Sequence, residues 1–255
     1  MDILWLGVLA LLLIGYFALE GFDIGLGLLL PVLGRTPRDR DRIVAAMAPF
    51  VLANEVWLVA VAGVLFGAFP AAEGEALFGL YPLVVSLLLS WIVRDAGLWF
   101  RRRLDGPAWR AAWDWAIFAG SAGLALSWGM ALAAMAGGLS GPAIGLPGIG
   151  AGLLVAAAFA FHGWTFASWR LPDGPTGARR TGTALLVSAC VAAAPAAAVA
   201  AAAAPWLLER VASAETLGVL SVIILPFTPL MVGAQVWVWR AFGPRSAADR
   251  MPSFF

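Results

Sequence analysis

Charged and amide side chains lie inside the most apolar stretches of this chain. Glu20 and Asp23 fall within a continuous apolar run over residues 3–33, and later apolar segments carry Asn54, Glu55, Arg94 and Asp95. Ionisable residues are rare in lipid-spanning helices, because burying a charge in hydrocarbon costs several kcal/mol. Those that do occur there usually line a route for protons or ions. These residues are therefore the first candidates for function.

The composition indicates an integral membrane protein. The 255 residues are 62% hydrophobic and 12% charged, with a mean hydropathy of +0.90, whereas a soluble domain is about 25% charged. A formal net charge of +1 does not suggest a nucleic-acid partner. The single cysteine, Cys190, can neither close an internal disulfide nor build a thiolate metal site. We expect membrane lipid, and no nucleic acid, to surround this protein.

Seven apolar stretches are long enough to cross a hydrocarbon core about 30 Å thick. They cover residues 3–33, 43–69, 76–100, 109–135, 149–169, 183–204 and 216–242. The longest loops are expected over 34–42 and 171–182, and no linker separates soluble domains. The sequence therefore predicts an all-α, polytopic integral membrane helix bundle of about seven transmembrane helices, as a single membrane domain over residues 1–255.

The distribution of arginine orients the predicted bundle. Every basic residue is an arginine, and the arginines follow the first, third, fifth and last predicted helices, whereas the intervening loops hold only Arg210. An excess of Lys and Arg marks cytoplasmic loops. The pattern predicts an N-terminus outside, a cytoplasmic C-terminus and an odd number of helices. Because the start lacks a basic segment and its apolar run is too long for a signal peptide, we expect no cleavage there.

Helical geometry groups the predicted intramembrane acids. Glu20 and Asp23 are three residues apart, so they share one face of the first helix. Glu20 and Glu55 each lie near the middle of an apolar run, and a short loop joins their helices. Two carboxylates close together in a low-dielectric medium favour a protonated form, as a proton relay requires. The alternative is structural: acids that are neutral, or paired with Arg94 or Asn54, would serve as interhelical hydrogen bonds.

Arg94 and Asp95 lie nearer the predicted cytoplasmic end of the third helix, where an arginine side chain can extend to the interface. Asp114 enters the fourth helix at a matching depth. We therefore expect an ion pair between Arg94 and Asp114, with a structural role.

His162, the only histidine, falls in the middle of the fifth predicted helix. One imidazole could ligate a haem iron with a methionine opposite, but a single histidine excludes bis-histidine ligation of a haem within this chain. We expect a buried, hydrogen-bonding histidine, with a proton-relay role as the lesser alternative. The residues predict no catalytic group and no metal site.

A series of motifs runs in order along the chain. They read GYFALEGFDIGLG (15–27), PVLGR (31–35), NEVWL (54–58), LFGAFP (65–70), Arg94, WDW (113–115) and HG (162–163). These motifs, with the final span, resemble subunit II of cytochrome bd quinol oxidase over nearly the whole chain. The resemblance is strongest through residue 120.

The chain also departs from the pattern of that family. The family usually has Trp-Asp-Gly directly before Asn-Glu-Val-Trp, whereas Val51, Leu52 and Ala53 stand here. Leu52 therefore replaces an acidic residue that the family offers for proton access. The chain is also shorter than is usual and lacks about two helices before its final span. The resemblance is to a shortened, diverged member.

The resemblance implies a function. It places the chain in the bacterial inner membrane as a haem-free, non-catalytic subunit of a terminal quinol oxidase. Haem b, haem d, the quinol site and oxygen reduction would belong to subunit I. This chain would support assembly and help to deliver cytoplasmic protons, and a quinone is a candidate ligand. The proton path would comprise Glu20, Asp23 and Glu55, and the structural polar network would comprise Asn54, Arg94, Asp114 and His162.

Two other classes of protein remain open. A secondary transporter also places carboxylates at mid-membrane, but it usually shows inverted repeats with broken helices. A purely structural subunit would keep its helix-packing residues and tolerate the loss of Glu20 and Glu55. Detection of an internal repeat would identify the first class, and the activity of point variants would identify the second.

Overall fold

The computed structural model describes residues 1–171 and 173–243. Its helices are α1 (Asp2–Leu33), α2 (Pro37–Ala68), α3 (Pro70–Gly79), α4 (Tyr81–Phe100), α5 (Pro107–Ala136), α6 (Leu146–Arg170), α7 (Gly182–Leu208), α8 (Ala214–Ile224) and α9 (Phe227–Ala241). Seven spans in this part of the chain are long and apolar enough to cross a membrane, and the last of them, Ala214–Ala241, contains both α8 and α9. The predicted all-α membrane bundle is confirmed.

The second helix begins earlier than predicted. Residues 37–42, expected in a loop, form the first turns of α2. The Thr36 hydroxyl accepts a hydrogen bond from the Asp39 backbone N–H at 3.1 Å, and the Asp39 carboxylate accepts from the Thr36 N–H at 3.2 Å. This capping box, with Pro37 at the first helical position, starts the helix at the loop rather than at the first apolar residue.

Two predicted spans are interrupted by proline. The span expected over 76–100 divides into α3, a ten-residue helix, and α4, with Pro82 in the first turn of α4. The final span breaks between α8 and α9 at Leu225 and Pro226. Proline lacks a backbone N–H and its ring clashes with the preceding turn, so a continuous helix ends there.

The first helix lies at the centre of the bundle, in contact with α2, α5, α6 and α7. Gly25 of α1 faces Gly163 of α6, and a Cβ atom on Gly25 would overlap the carbonyl oxygen of Phe159. Small residues allow such close approach of helix backbones. Because neighbours surround α1, Glu20 and Asp23 are both buried, with only 1% of each exposed.

The described arginine-rich segments meet at one end of the bundle. Arg40 Nη1 lies 3.0 Å from Asp114 Oδ2, which joins the start of α2 to the start of α5. Arg42 Nη1 donates to the carbonyl oxygen of Asp173 at 3.1 Å, which joins α2 to the segment after α6. The arginines therefore cluster as the predicted topology requires. Two further arginines on which that prediction rests, Arg245 and Arg250, lie outside the described residues.

The opposite end of the bundle carries a single arginine among the described residues, Arg210. Its Nε lies 3.0 Å from Glu75 Oε1 of α3. The Ala212 N–H donates to the carbonyl oxygen of Ala68 at 2.8 Å. These contacts place α3 and the segment after α7 at the end that the arginine pattern assigns to the outside.

Reporter fusions test this topology. Fusions after Arg40, Arg103 and Arg245 are expected to report the cytoplasm, because arginine-rich segments are retained there. Fusions after Glu73 and Gly141 are expected to report the outside. Opposite results at two of these sites would contradict the seven-span arrangement.

Candidate functional site

A cluster of buried charges lies where α1, α2 and α4 meet. Arg94 of α4 is 1% exposed, and its Nη1 forms an ion pair with Glu20 Oε1 of α1. Its Nη2 lies 2.6 Å from Glu55 Oε1 of α2, and its Nε lies 2.9 Å from Asp95 Oδ1. The two glutamates predicted at mid-membrane therefore share one guanidinium.

The predicted ion pair between Arg94 and Asp114 is wrong. Asp114 accepts from Arg101 Nε at 2.5 Å and from Arg40 at 3.0 Å, at the arginine-rich end of the bundle. Arg94 does not extend to the interface either. A buried guanidinium needs acceptors for its N–H groups. Glu20 and Glu55 provide these acceptors inside the bundle, whereas Asp114 has partners of its own.

Asp23 belongs to a second, amide-containing network. Asn54 Nδ2 donates to Asp23 Oδ2 at 2.6 Å and to the carbonyl oxygen of Leu19 at 3.1 Å. Asn54 Oδ1 accepts from Gln235 Nε2 at 2.8 Å, and Gln235 Oε1 accepts from Trp57 Nε1 at 3.3 Å. The network joins α1 and α2 to α9. Asn54, at the centre of this network, is fully buried.

Gln235 and Trp91 are members of this site that were not predicted from the sequence. Gln235 is the only glutamine in the chain, and a lone amide in an apolar span is a signal that could have identified it. Trp91 Nε1 donates to Glu55 Oε1 at 2.9 Å. No sequence pattern distinguishes this interior indole from the lipid-facing tryptophans.

Carboxylates outnumber cations in the charged cluster. Glu20, Glu55 and Asp95 all contact the single guanidinium of Arg94. Uncompensated charge in a low-dielectric interior is costly, so full ionisation of all three acids is unfavourable. Glu20 Oε2 and Asp23 Oδ1 are buried and have no hydrogen-bond partner among the described residues. The two residues lie about one turn apart on α1, and their free oxygens are suited to binding a proton.

The charged cluster approaches the surface through α4, where the Asp95 side chain is 24% exposed, and through α2. The Glu55 side chain is 11% exposed, compared with 1% for Glu20. Leu52, which replaces the acidic residue expected from the resemblance, lies three residues before Glu55 and is 48% exposed. That position therefore lies on the outer surface of α2, beside the exposed edge of the cluster.

His162 is buried and hydrogen-bonded between helices. Its Nδ1 lies 2.8 Å from Ser188 Oγ of α7, and its Nε2 lies 3.0 Å from the carbonyl oxygen of Ala18 of α1. Both ring nitrogens of His162 are therefore engaged in joining helices. Within residues 1–171 and 173–243, no group of three or more His, Cys, Asp or Glu residues could hold a metal ion.

An apolar cavity of about 170 Å³ lies between α1, α2, α5 and α7. Leu9, Val61, Trp128 and Ala203 contribute to its wall, which includes no titratable side chain. The cavity can hold an aliphatic chain but offers no group for proton transfer.

Comparisons with known proteins agree with the motifs. The family model "Cytochrome bd terminal oxidase subunit II" matches residues 1–211. The chain is 36% identical over 118 residues to cytochrome bd-I ubiquinol oxidase subunit 2 of Escherichia coli (strain K12). The aligned region covers 46% of this chain and 31% of that relative. It is 40% identical over 118 residues to cytochrome bd ubiquinol oxidase subunit 2 of Bacillus subtilis (strain 168), and this aligned region covers 46% of this chain and 35% of that relative.

A third relative is similar over a comparable length. The probable cytochrome oxidase subunit 2 of Haemophilus influenzae is 36% identical over 128 residues, which covers 50% of this chain and 34% of the relative. The chain thus spans about a third of the length of the curated relatives that it matches. Because the family match extends over residues 1–211 of the 255, the chain belongs to the cytochrome bd terminal oxidase subunit II family.

Proposed function

We propose that this chain is the haem-free membrane subunit of a cytochrome bd-type quinol:oxygen oxidoreductase in the bacterial cytoplasmic membrane. It assembles with a haem-bearing subunit I and conducts protons toward the oxygen-reducing site of that partner. Family membership supports the reaction class, and two of the named relatives are subunits of ubiquinol oxidases. The observation that carries the proton role is the buried cluster of Glu20, Arg94 and Glu55.

Reduction of oxygen to water consumes protons, so the complex needs a route for them. In the predicted topology, Asp23 lies one turn nearer the cytoplasm than Glu20. A proton from that side binds Asp23, passes to Glu20 and leaves through Glu55, the most exposed of the three acids. Arg94 keeps its own proton and holds Glu20 and Glu55 near each other. The protons reach subunit I through the α2 surface beside Leu52.

The arrangement also supports the haem-free assignment. Both ring nitrogens of His162 are engaged within the chain, so a haem iron would have to displace an interhelical hydrogen bond. This engagement supports the proposal that the haem groups of the complex belong to subunit I. The family match argues against a secondary transporter, while a purely structural role is tested by the variants considered in the Discussion.

Haem content tests the division of labour between the subunits. Expressed without its partner, this chain is expected to purify without haem, and with subunit I it is expected to copurify with b- and d-type haem absorption. The control variant His162→Gln keeps a side chain able to hydrogen-bond, so the haem content of the assembled complex is expected to be unchanged. A stoichiometric haem spectrum from this chain alone would contradict the assignment.

A further inference from the structure

The only asparagine and the only glutamine of the chain are hydrogen-bonded to each other inside the bundle. Gln235 lies on α9, a helix in which only Gln235 and Val238 are buried, and its own side chain is almost fully buried. Residue 235 also lies beyond residue 211, where the family match ends. The family match therefore does not account for this contact.

The hydrogen bonds in this network have a defined direction. An indole N–H can only donate, so Trp57 requires the carbonyl oxygen of the Gln235 amide, and the Gln235 NH₂ group then faces Asn54. Asn54 must accept that bond with Oδ1, which turns its own NH₂ group toward Asp23. The backbone carbonyl of Leu19 can only accept, and it bonds to the same NH₂ group. Both ends of the network thus require the same orientation of the two amides.

This orientation distinguishes the two oxygens of Asp23. Oδ2 accepts from Asn54, whereas Oδ1 is buried without a partner among the described residues. We propose that Gln235 is a positioning residue, which acts through Asn54 to keep Asp23 Oδ2 as an acceptor, so that the proton carried by Asp23 resides on Oδ1. The inference rests on the proposed proton route and adds to it a residue of the last span. Asp23 lies one turn from Glu20 on α1, and Glu20 Oε2 also lacks a hydrogen-bond partner among the described residues.

The test uses the purified two-subunit complex with Gln235→Met, which keeps the length of the side chain and removes both hydrogen bonds. Asn54 is then held at one end only, so its bond to Asp23 weakens. Oxygen consumption per haem is expected to fall about fivefold, as for partial loss of one hydrogen bond to a reacting group. The infrared C=O stretching band of the protonated Asp23 carboxyl group, assigned as the band lost in Asp23→Asn, is expected to change in frequency. Val236→Met, at an exposed neighbouring position, is the matched control and should change neither quantity.

Coupling between the two positions separates positioning from general damage. If Gln235 acts through Asp23, adding Gln235→Met to Asp23→Asn should cause no further loss of turnover, because the residue that it positions no longer carries a proton. An additive loss would overturn the inference. Trp57→Phe removes the donor at the other end of the network. It should shift the same band in the same direction, and it provides the test if Gln235→Met assembles poorly.

The two readouts also separate this inference from the proposed function. One outcome is that the Asp23 band moves in Gln235→Met while Asp23→Asn turns over at the normal rate. This outcome would support the positioning network and contradict the role of Asp23 in proton transfer. Slow turnover in Asp23→Asn, with neither band nor turnover changed in Gln235→Met, would overturn the positioning role and leave the proton route standing.

Discussion

Glu20→Gln and Glu55→Gln are each expected to lower oxygen consumption per haem about a hundredfold in the purified complex, the scale on which a single proton-transfer group contributes. Glutamine keeps the size of the side chain and can still accept a hydrogen bond from Arg94, but it cannot carry the titratable proton. The haem content of the assembled complex should therefore stay near that of the unmodified protein. We expect Glu55 to affect turnover more than Arg94 does, because Leu52 removes the neighbouring acidic residue that the family offers.

The matched control for these variants is Glu75→Gln. Glu75 pairs with Arg210 at the opposite end of the bundle, and its side chain is 51% exposed. The same chemical change at that position should leave turnover unaltered. Unchanged turnover in both Glu20→Gln and Glu55→Gln would reduce this protein to a scaffold. Parallel loss of activity and assembly would assign the two acids to packing.

Arg94→Met is expected to lower the amount of assembled complex severely. Arg94 is buried against three carboxylates, and removal of one partner from a buried ion pair costs about 3–5 kcal/mol. That cost is a large share of the stability of a folded domain. The measurement is haem absorption per unit of membrane protein, together with the thermal unfolding midpoint of the complex that remains.

A second substitution separates charge compensation from packing. Adding Glu20→Gln to Arg94→Met removes one uncompensated carboxylate, so part of the lost assembly should return. Arg103→Met is the control. Arg103 lies after α4 at an exposed position, where its Nε donates a hydrogen bond to the Trp99 carbonyl oxygen. Normal assembly of Arg94→Met with abolished turnover would contradict a mainly structural role and place Arg94 in the proton route itself.

The site could be predicted from the sequence only in part. Glu20, Asp23, Asn54, Glu55 and Arg94 stand out because polar groups are rare in apolar spans, and all five are buried. Their pairing was not predictable. From sequence spacing, Asp114 was as reasonable a partner for Arg94 as Glu20 or Glu55, and Gln235 gave no sign that it meets Asn54 from the far end of the chain.

The membrane class, the seven spans, the clustering of arginines at one end and the shared face of Glu20 and Asp23 could all be predicted from the sequence. These features depend on hydrophobic length and on the fixed repeat of a helix, both of which are local. The folded bundle was needed to show which acids meet Arg94, which oxygens lack partners and how α9 reaches the site. Such contacts depend on how each helix is rotated and how closely it approaches its neighbours, as at Gly25 and Gly163, where two backbones touch.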